Sequence, residues 1–162
     1  MPNSPYHYLI QRYFPPEQWE VADCISTNEC LEDTPGYPEC IVDEGLIDCG
    51  FGPVEARSWG LFRILDACWS PELFPDSPFT PKQWEQVLDP NVNTWMASVI
   101  WERTGWRAWT TCELCEACDI PGGPIPYPRG PLTEAHIHPL LPLAGILAGF
   151  VGLAVLDSSR KR

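Results

Sequence analysis

Eight cysteines, all between positions 24 and 118, constrain this chain more than any other feature: Cys24, Cys30, Cys40, Cys49, Cys68, Cys112, Cys115 and Cys118. An even set of that density in a short chain suggests a disulfide framework formed in an oxidising compartment, where cross-links supplement a small hydrophobic core. Eight cysteines admit on the order of a hundred pairings, and spacing selects none of them. The alternative is a metal site. Cys112, Cys115 and Cys118 have the spacing of thiolates that hold zinc or part of an iron–sulfur cluster. A tetrahedral site needs a fourth ligand, however, and no second Cys-x-x-Cys pair supplies half of it. A metal-binding redox module therefore stands as a rival; the preferred reading has no metal and no cofactor.

Charge removes one class of partner. Lys and Arg total 10 against 22 Asp and Glu, a net charge of -12, so the chain lacks the phosphate-neutralising surface that nucleic-acid binding needs. The imbalance lies in the first 118 residues, which carry 6 basic and 19 acidic side chains. An acidic domain gains no long-range attraction to an anionic biological surface, so at such a surface tethering would have to replace it.

Composition divides the chain into three parts. Residues 1–118 hold all the cysteines, residues 119–138 form a Pro- and Gly-rich extended linker, and residues 139–162 join an uncharged apolar run to the basic end Arg160-Lys161-Arg162. The apolar run, residues 139–156, is 18 residues long. That is the short end for a bilayer core of about 30 Å, but with no polar face it reads as a single-pass C-terminal transmembrane helix in contact with membrane lipid. The basic end would remain cytoplasmic and the acidic domain non-cytoplasmic. Gly145 and Gly149 are either a helix-pairing motif or plain lipid-facing glycines, and His136 and His138 read as interfacial linker residues. Residues 1–8 have no charged region followed by an apolar core, so no cleavable signal peptide is expected.

Within the first part, a helix is expected after Phe14. Pro15 and Pro16 suit its first turn, Glu17 and Glu20 favour its positive end, and Trp19, Ala22 and Ile25 form an apolar stripe that puts Glu29 at the last turn or just beyond it. Residues 31–57, rich in Gly, Pro and acids, read as a loop-dominated insertion stapled by Cys40 and Cys49. Residues 70–77 read as a further loop, and Thr80 starts a short helix through Val87 in a capping box with Gln83. A longer helix comes next, capped by Asp89, with Pro90 in its first turn, a stripe of Val92, Trp95, Met96, Val99 and Ile100, and Gly105 ending it. That stripe reads as core packing.

Three blocks in this order carry a family resemblance. Ser58-Trp59-Gly60-Leu61-Phe62-Arg63-Ile64 resembles the S-x-G-L-[MF]-Q-I signature of the lysozyme-like superfamily, which includes lytic transglycosylases, goose-type lysozymes and phage-borne relatives. Upstream, residues 14–30 look like the helix whose last turn carries that family's catalytic Glu-Ser dipeptide, here Glu29-Cys30. Downstream, Asp89-Pro90-Asn91-Val92-Asn93 and Gly105-Trp106-Arg107-Ala108-Trp109 are similar to its DP-x-x-N helix and GW-x-x-W end. The resemblance spans roughly residues 10–112. It implies a mainly α (α+β lysozyme-like) fold, disulfide-stapled, with Glu29 as catalytic acid and Ser58, Trp59, Arg63 and Trp106 as substrate-binding residues. Trp69 and Trp109 complete an aromatic set available for stacking on sugars.

Breaking a β-1,4 glycosidic bond requires a protonated carboxyl beside the leaving oxygen, and partial burial raises a carboxyl pKa toward working pH. A helix C-terminus acts in the same direction. Glu44, at the end of Ile41-Val42-Asp43-Glu44, is the alternative acid. A hydrolase also needs a second carboxylate, about 5 Å away in retaining enzymes and roughly 6.5 to 9.5 Å in inverting ones. Animal-type lysozymes of the resembled superfamily carry an Asp where this chain has Ser58. That departure favours the transglycosylase style, in which one Glu acts first as acid and then as base; Asp43, Glu44, Asp48 and Glu55 remain open as second carboxylates for hydrolysis. Cys30 replaces the family's Ser, trading a hydroxyl for a disulfide, and Arg63 replaces its Gln. An Arg63–Glu29 ion pair would lower the acid's pKa and weaken an enzyme. The expected function is cleavage of peptidoglycan glycan strands by a membrane-anchored enzyme, with phage entry as one setting and virion or envelope proteins as further partners. The rival of a different class is a catalytically inactive lysozyme-like structural or glycan-binding protein.

Overall fold

The computed structural model describes residues 4–33, 35–50, 52–69 and 81–126, all within the unit Met1–Pro131. A short helix without a sequence signal, α1 (His7–Tyr13), comes first: Tyr6 provides no side-chain cap, and burial of Leu9, Ile10 and Tyr13 holds the helix in place. Pro15 and Pro16 then lead through a 3-10 turn, Pro16–Gln18, into α2 (Trp19–Glu29). Ala22, Ile25 and Ser26 are its buried positions, and the chain turns extended at Cys30, immediately after Glu29. The expected helix is therefore present, with Glu29 as its final residue.

Residues 41–59 correct the mainly helical expectation. Read from the sequence up to Arg57 as part of a loop insertion, they form two strands, β1 (Ile41–Asp48) and β2 (Pro53–Trp59), and with β3 (Ile64–Leu65) they make an antiparallel sheet in the order β1-β2-β3. The fold is mixed α+β. The turn between β1 and β2 is organised by Asp48, whose Oδ1 accepts from the Gly50 and Gly52 N–H groups at 2.8 and 3.0 Å. The β1 register shifts between Asp43 and Gly45, leaving Glu44 in a bulge. Bulges re-aim side chains, and this one falls at the residue that matters most for the site.

The second helix-rich part begins with a 3-10 segment, Pro81–Leu88, where an α-helix was expected; its expected cap, Thr80, lies outside the described residues. The long helix α3 (Pro90–Thr104) starts and ends as expected. Asp89 Oδ1 accepts from the N–H groups of Asn91 and Val92 at 2.8 and 3.3 Å, and Gly105 terminates the helix at φ +67°. Trp95, Met96 and Ile100 are buried, but so are Asn93, Thr94, Ala97, Ser98 and Trp101, so α3 is enclosed over more than one face. Thr94 and Ser98 satisfy their hydroxyls on the carbonyls of Pro90 and Trp95, at 2.7 and 2.6 Å.

The aromatic residues of all three blocks form one cluster. Phe14 stacks on Trp106 with ring centroids 5.2 Å apart and lies 5.9 Å from both Phe62 and Trp101; Trp109 lies 5.5 Å from Trp106 and 6.0 Å from Phe62. Buried hydrogen bonds fix the assembly. Asn93 Nδ2 donates to the carbonyls of Trp59 and Val87 at 2.8 and 3.0 Å, while its Oδ1 accepts from Phe62 N–H at 2.9 Å. Trp109 Nε1 donates to the Phe62 carbonyl and Trp106 Nε1 to Gln18 Oε1, both at 2.7 Å. Each block thus satisfies backbone or side-chain groups of another, which would otherwise be buried unpaired at about 1–3 kcal/mol apiece.

Four disulfides account for all eight cysteines: Cys24–Cys115, Cys30–Cys40, Cys49–Cys68 and Cys112–Cys118. The thiols considered as metal ligands are therefore used up. Cys24–Cys115 closes a separation of 91 residues and Cys112–Cys118 one of 6, and cross-links stabilise mainly by restricting the unfolded chain, more for longer loops. Replacing both Cys24 and Cys115 by Ser is expected to cost about 4–5 kcal/mol, against about 2 kcal/mol for the Cys112, Cys118 pair. Urea unfolding of the two double variants checks this; equal losses would contradict the loop account.

Residues 119–126, read as the start of an extended linker, pack against the C-terminal end of α3. A Cβ on Gly122 would lie 2.7 Å from the Glu102 carbonyl carbon, and Ile125 is buried. Among the described residues no helix is long and apolar enough to cross a membrane. The run expected as a transmembrane helix, residues 139–156, lies outside the described residues, as do His136 and His138.

Candidate active site

Glu29, at the end of α2, meets the turn that carries Thr111 and feels the charges of Glu44 on β1 and of Arg63 in the turn between β2 and β3. Thr111 Oγ1 donates to Glu29 Oε1 at 2.7 Å. The carboxyl is largely buried, and its pKa is raised, chiefly by that burial, with the nearby Glu44 charge adding; Thr111 and the Arg63 charge oppose the rise without cancelling it. Its position at a helix C-terminus favours the protonated form as well.

On the sheet, Glu44 Oε1 accepts from Ser58 Oγ at 2.6 Å and pairs with Arg63 Nη2. Arg63 Nε also donates to Ser58 Oγ at 3.1 Å. Arg63 adopts φ +43°, a left-handed conformation uncommon for a side-chain-bearing residue, at the end of the turn closed by its N–H donating to the Gly60 carbonyl at 2.9 Å. Such conformations cost on the order of 1–3 kcal/mol and cluster at functional sites. The ion pair that would have neutralised Glu29 is made to Glu44 instead.

Of the four acids open as second carboxylates, only Glu44 acts on Glu29. Asp43 is exposed and pairs with Arg57, Nε to Oδ1 at 2.7 Å; Asp48 holds the Gly50–Gly52 turn; Glu55 is exposed on β2.

The expected sugar-contacting residues divide. Ser58 is 1% exposed and serves Glu44 and Arg63 rather than solvent. Trp106 is fully buried in the aromatic cluster with its N–H on Gln18, so it has no face to offer a sugar, and Trp109 is likewise buried. Trp59 is partly exposed, 6.4 Å from Trp84 between ring centroids, with Nε1 donating to Asp66 Oδ2 at 3.1 Å. Trp59 and Arg63 therefore keep some accessible surface, and of the two only Arg63 acts on Glu29. Thr111 was missed: no motif marks it, and only the fold brings it to Glu29 across 82 positions.

The chain matches no protein-family model, no curated protein and no solved structure.

Proposed function

We propose that this protein cleaves the β-1,4 links of peptidoglycan glycan strands in the transglycosylase style, with Glu29 as the single acid and base. The observation that carries the proposal is a largely buried carboxyl at a helix end, its pKa raised, beside a second carboxylate already occupied by a guanidinium and a hydroxyl. The three-block resemblance supports the same class of chemistry. Glu29 gives its proton to the leaving glycosidic oxygen as the bond to the anomeric carbon breaks. The Glu29 carboxylate then faces the Arg63 charge and the Thr111 hydroxyl, which lower the cost of its negative charge. It next takes the proton of the substrate's own hydroxyl as that oxygen closes the anhydro ring, and the acid is restored. No water enters the balance.

Hydrolysis with Glu44 as second carboxylate is the other reading, favoured by the effect of Glu44 on Glu29. Against it, Glu44 Oε1 already accepts from the Ser58 hydroxyl and the Arg63 guanidinium, so that oxygen is occupied by the protein. Product masses separate the two: anhydro-ended fragments mean transglycosylation and reducing ends mean hydrolysis. Glu44→Gln removes a like charge and frees Arg63, and both changes lower the Glu29 pKa. The limb of the pH–rate profile that falls as Glu29 deprotonates should then move to lower pH. Loss of activity at every pH, with no shift, would instead give Glu44 a chemical role.

A further inference from the structure

The hydroxyl that meets Glu29 belongs to the most cross-linked part of the chain. Thr111 sits in the 3-10 turn Thr110–Cys112. Cys112 is tied to Cys118, and Cys115 is tied to Cys24, five positions before Glu29 on α2. Backbone bonds close the same block: Leu114 N–H and Cys115 N–H donate to the Thr111 carbonyl at 3.0 and 3.3 Å, and Ala117 N–H donates to the Cys112 carbonyl at 2.9 Å. On its other side, Trp109 is anchored to the Phe62 carbonyl. Two disulfides and one buried indole thus fix the Thr111 hydroxyl relative to the helix that ends in the acid. Among the described residues it is the only side chain that hydrogen-bonds Glu29.

A hydroxyl has one proton to donate. Given to Oε1, it leaves the acidic proton of Glu29 on Oε2, and the Thr111 N–H favours the same carboxyl's charged form. We propose that Thr111 is a positioning residue for the glycan-cleaving reaction, fixing which oxygen of Glu29 carries the proton, and that the Cys24–Cys115 and Cys112–Cys118 cross-links exist to hold it there. The inference rests on the proposed function for its catalytic consequence but not for the Thr111–Glu29 coupling itself.

The test uses the full oxidised chain with Thr111→Val, which keeps shape and removes the hydroxyl, and Thr111→Ser, which keeps the hydroxyl and removes the methyl. The Glu29 side-chain carboxyl is titrated by 13C NMR, and peptidoglycan cleavage is followed against pH. In the Val variant the Glu29 midpoint should move to higher pH, because a donor to the charged form is lost, and kcat should fall by about tenfold with KM unchanged. The falling limb of the pH profile should move in the same direction. Ser should restore all three. A Glu29 midpoint that does not move in Val, or a Ser variant that behaves like Val, would overturn the proposal. A midpoint shift in Val beside a wild-type chain that cleaves nothing would uphold the coupling and overturn the proposed function.

Discussion

Gly60→Ala is expected to cost at least about 4 kcal/mol and, in a domain of this size, to leave little folded protein. Gly60 adopts φ +72°, and a Cβ there would lie 2.7 Å from Asn93 Cγ and 2.9 Å from the Val87 carbonyl oxygen. The offended side chain cannot move aside cheaply. Asn93 is fully buried and spends both ends of its amide on Trp59, Val87 and Phe62. Displacing it would unpair several buried groups at once. Gly45 supplies the control: its φ of +71° is nearly the same, yet nothing lies within 4 Å of a Cβ there. Gly45→Ala should lose only the conformational term, about 1–2 kcal/mol. Urea unfolding of the two variants reads the difference, and equal losses would show that crowding by Asn93 is not what demands glycine.

Glu29→Gln is expected to lower glycan cleavage by about a thousandfold, within the range for removing a general acid. The same substitution should not lower stability at neutral pH. A carboxyl whose folded-state pKa lies above its unfolded value favours folding while protonated in both states, and that contribution is lost as pH rises through the folded-state pKa. Above it, the native state holds a partly desolvated charge that Gln does not have, and Gln still accepts from Thr111. Thermal unfolding at pH 5 and pH 8 tests this: the midpoint of the variant relative to wild type should rise between the two. A variant that loses activity and stability together at pH 8 would mean that Glu29 is structural.

The features readable in the sequence are those whose physical cause is local or whose residues have few alternatives. The α3 boundaries were readable because Asp89, Pro90 and Gly105 act on their own turns. The prolines and the apolar stripe place Glu29 at the last turn of α2 or just beyond it, and the helix ends on it. The sheet was not readable. On β2 the buried positions are Ala56 and Ser58 rather than large apolar residues, and on β1 the bulge at Glu44 breaks the alternation that betrays a strand. α1 has neither cap nor length, so tertiary burial alone makes it a helix. Trp106 was misassigned because a tryptophan serves a core or a sugar platform equally well, and the burial that decides between them is set by Phe14, Trp101 and Trp109. Arg63 was recognised as the departure that matters, but its partner depended on the bulge that brings Glu44 to it. Thr111 and the disulfide pairing arise from contacts across most of the chain.

The central claim is that Glu29 is the acid of a glycan-cleaving site. Its most direct test is digestion of purified peptidoglycan by the full oxidised chain beside Glu29→Gln, with the masses of the released fragments recorded. Anhydro-ended fragments from the wild type, absent with the variant, are the predicted result. Fragments that persist unchanged with Glu29→Gln, or a folded wild type that releases none, would contradict the claim.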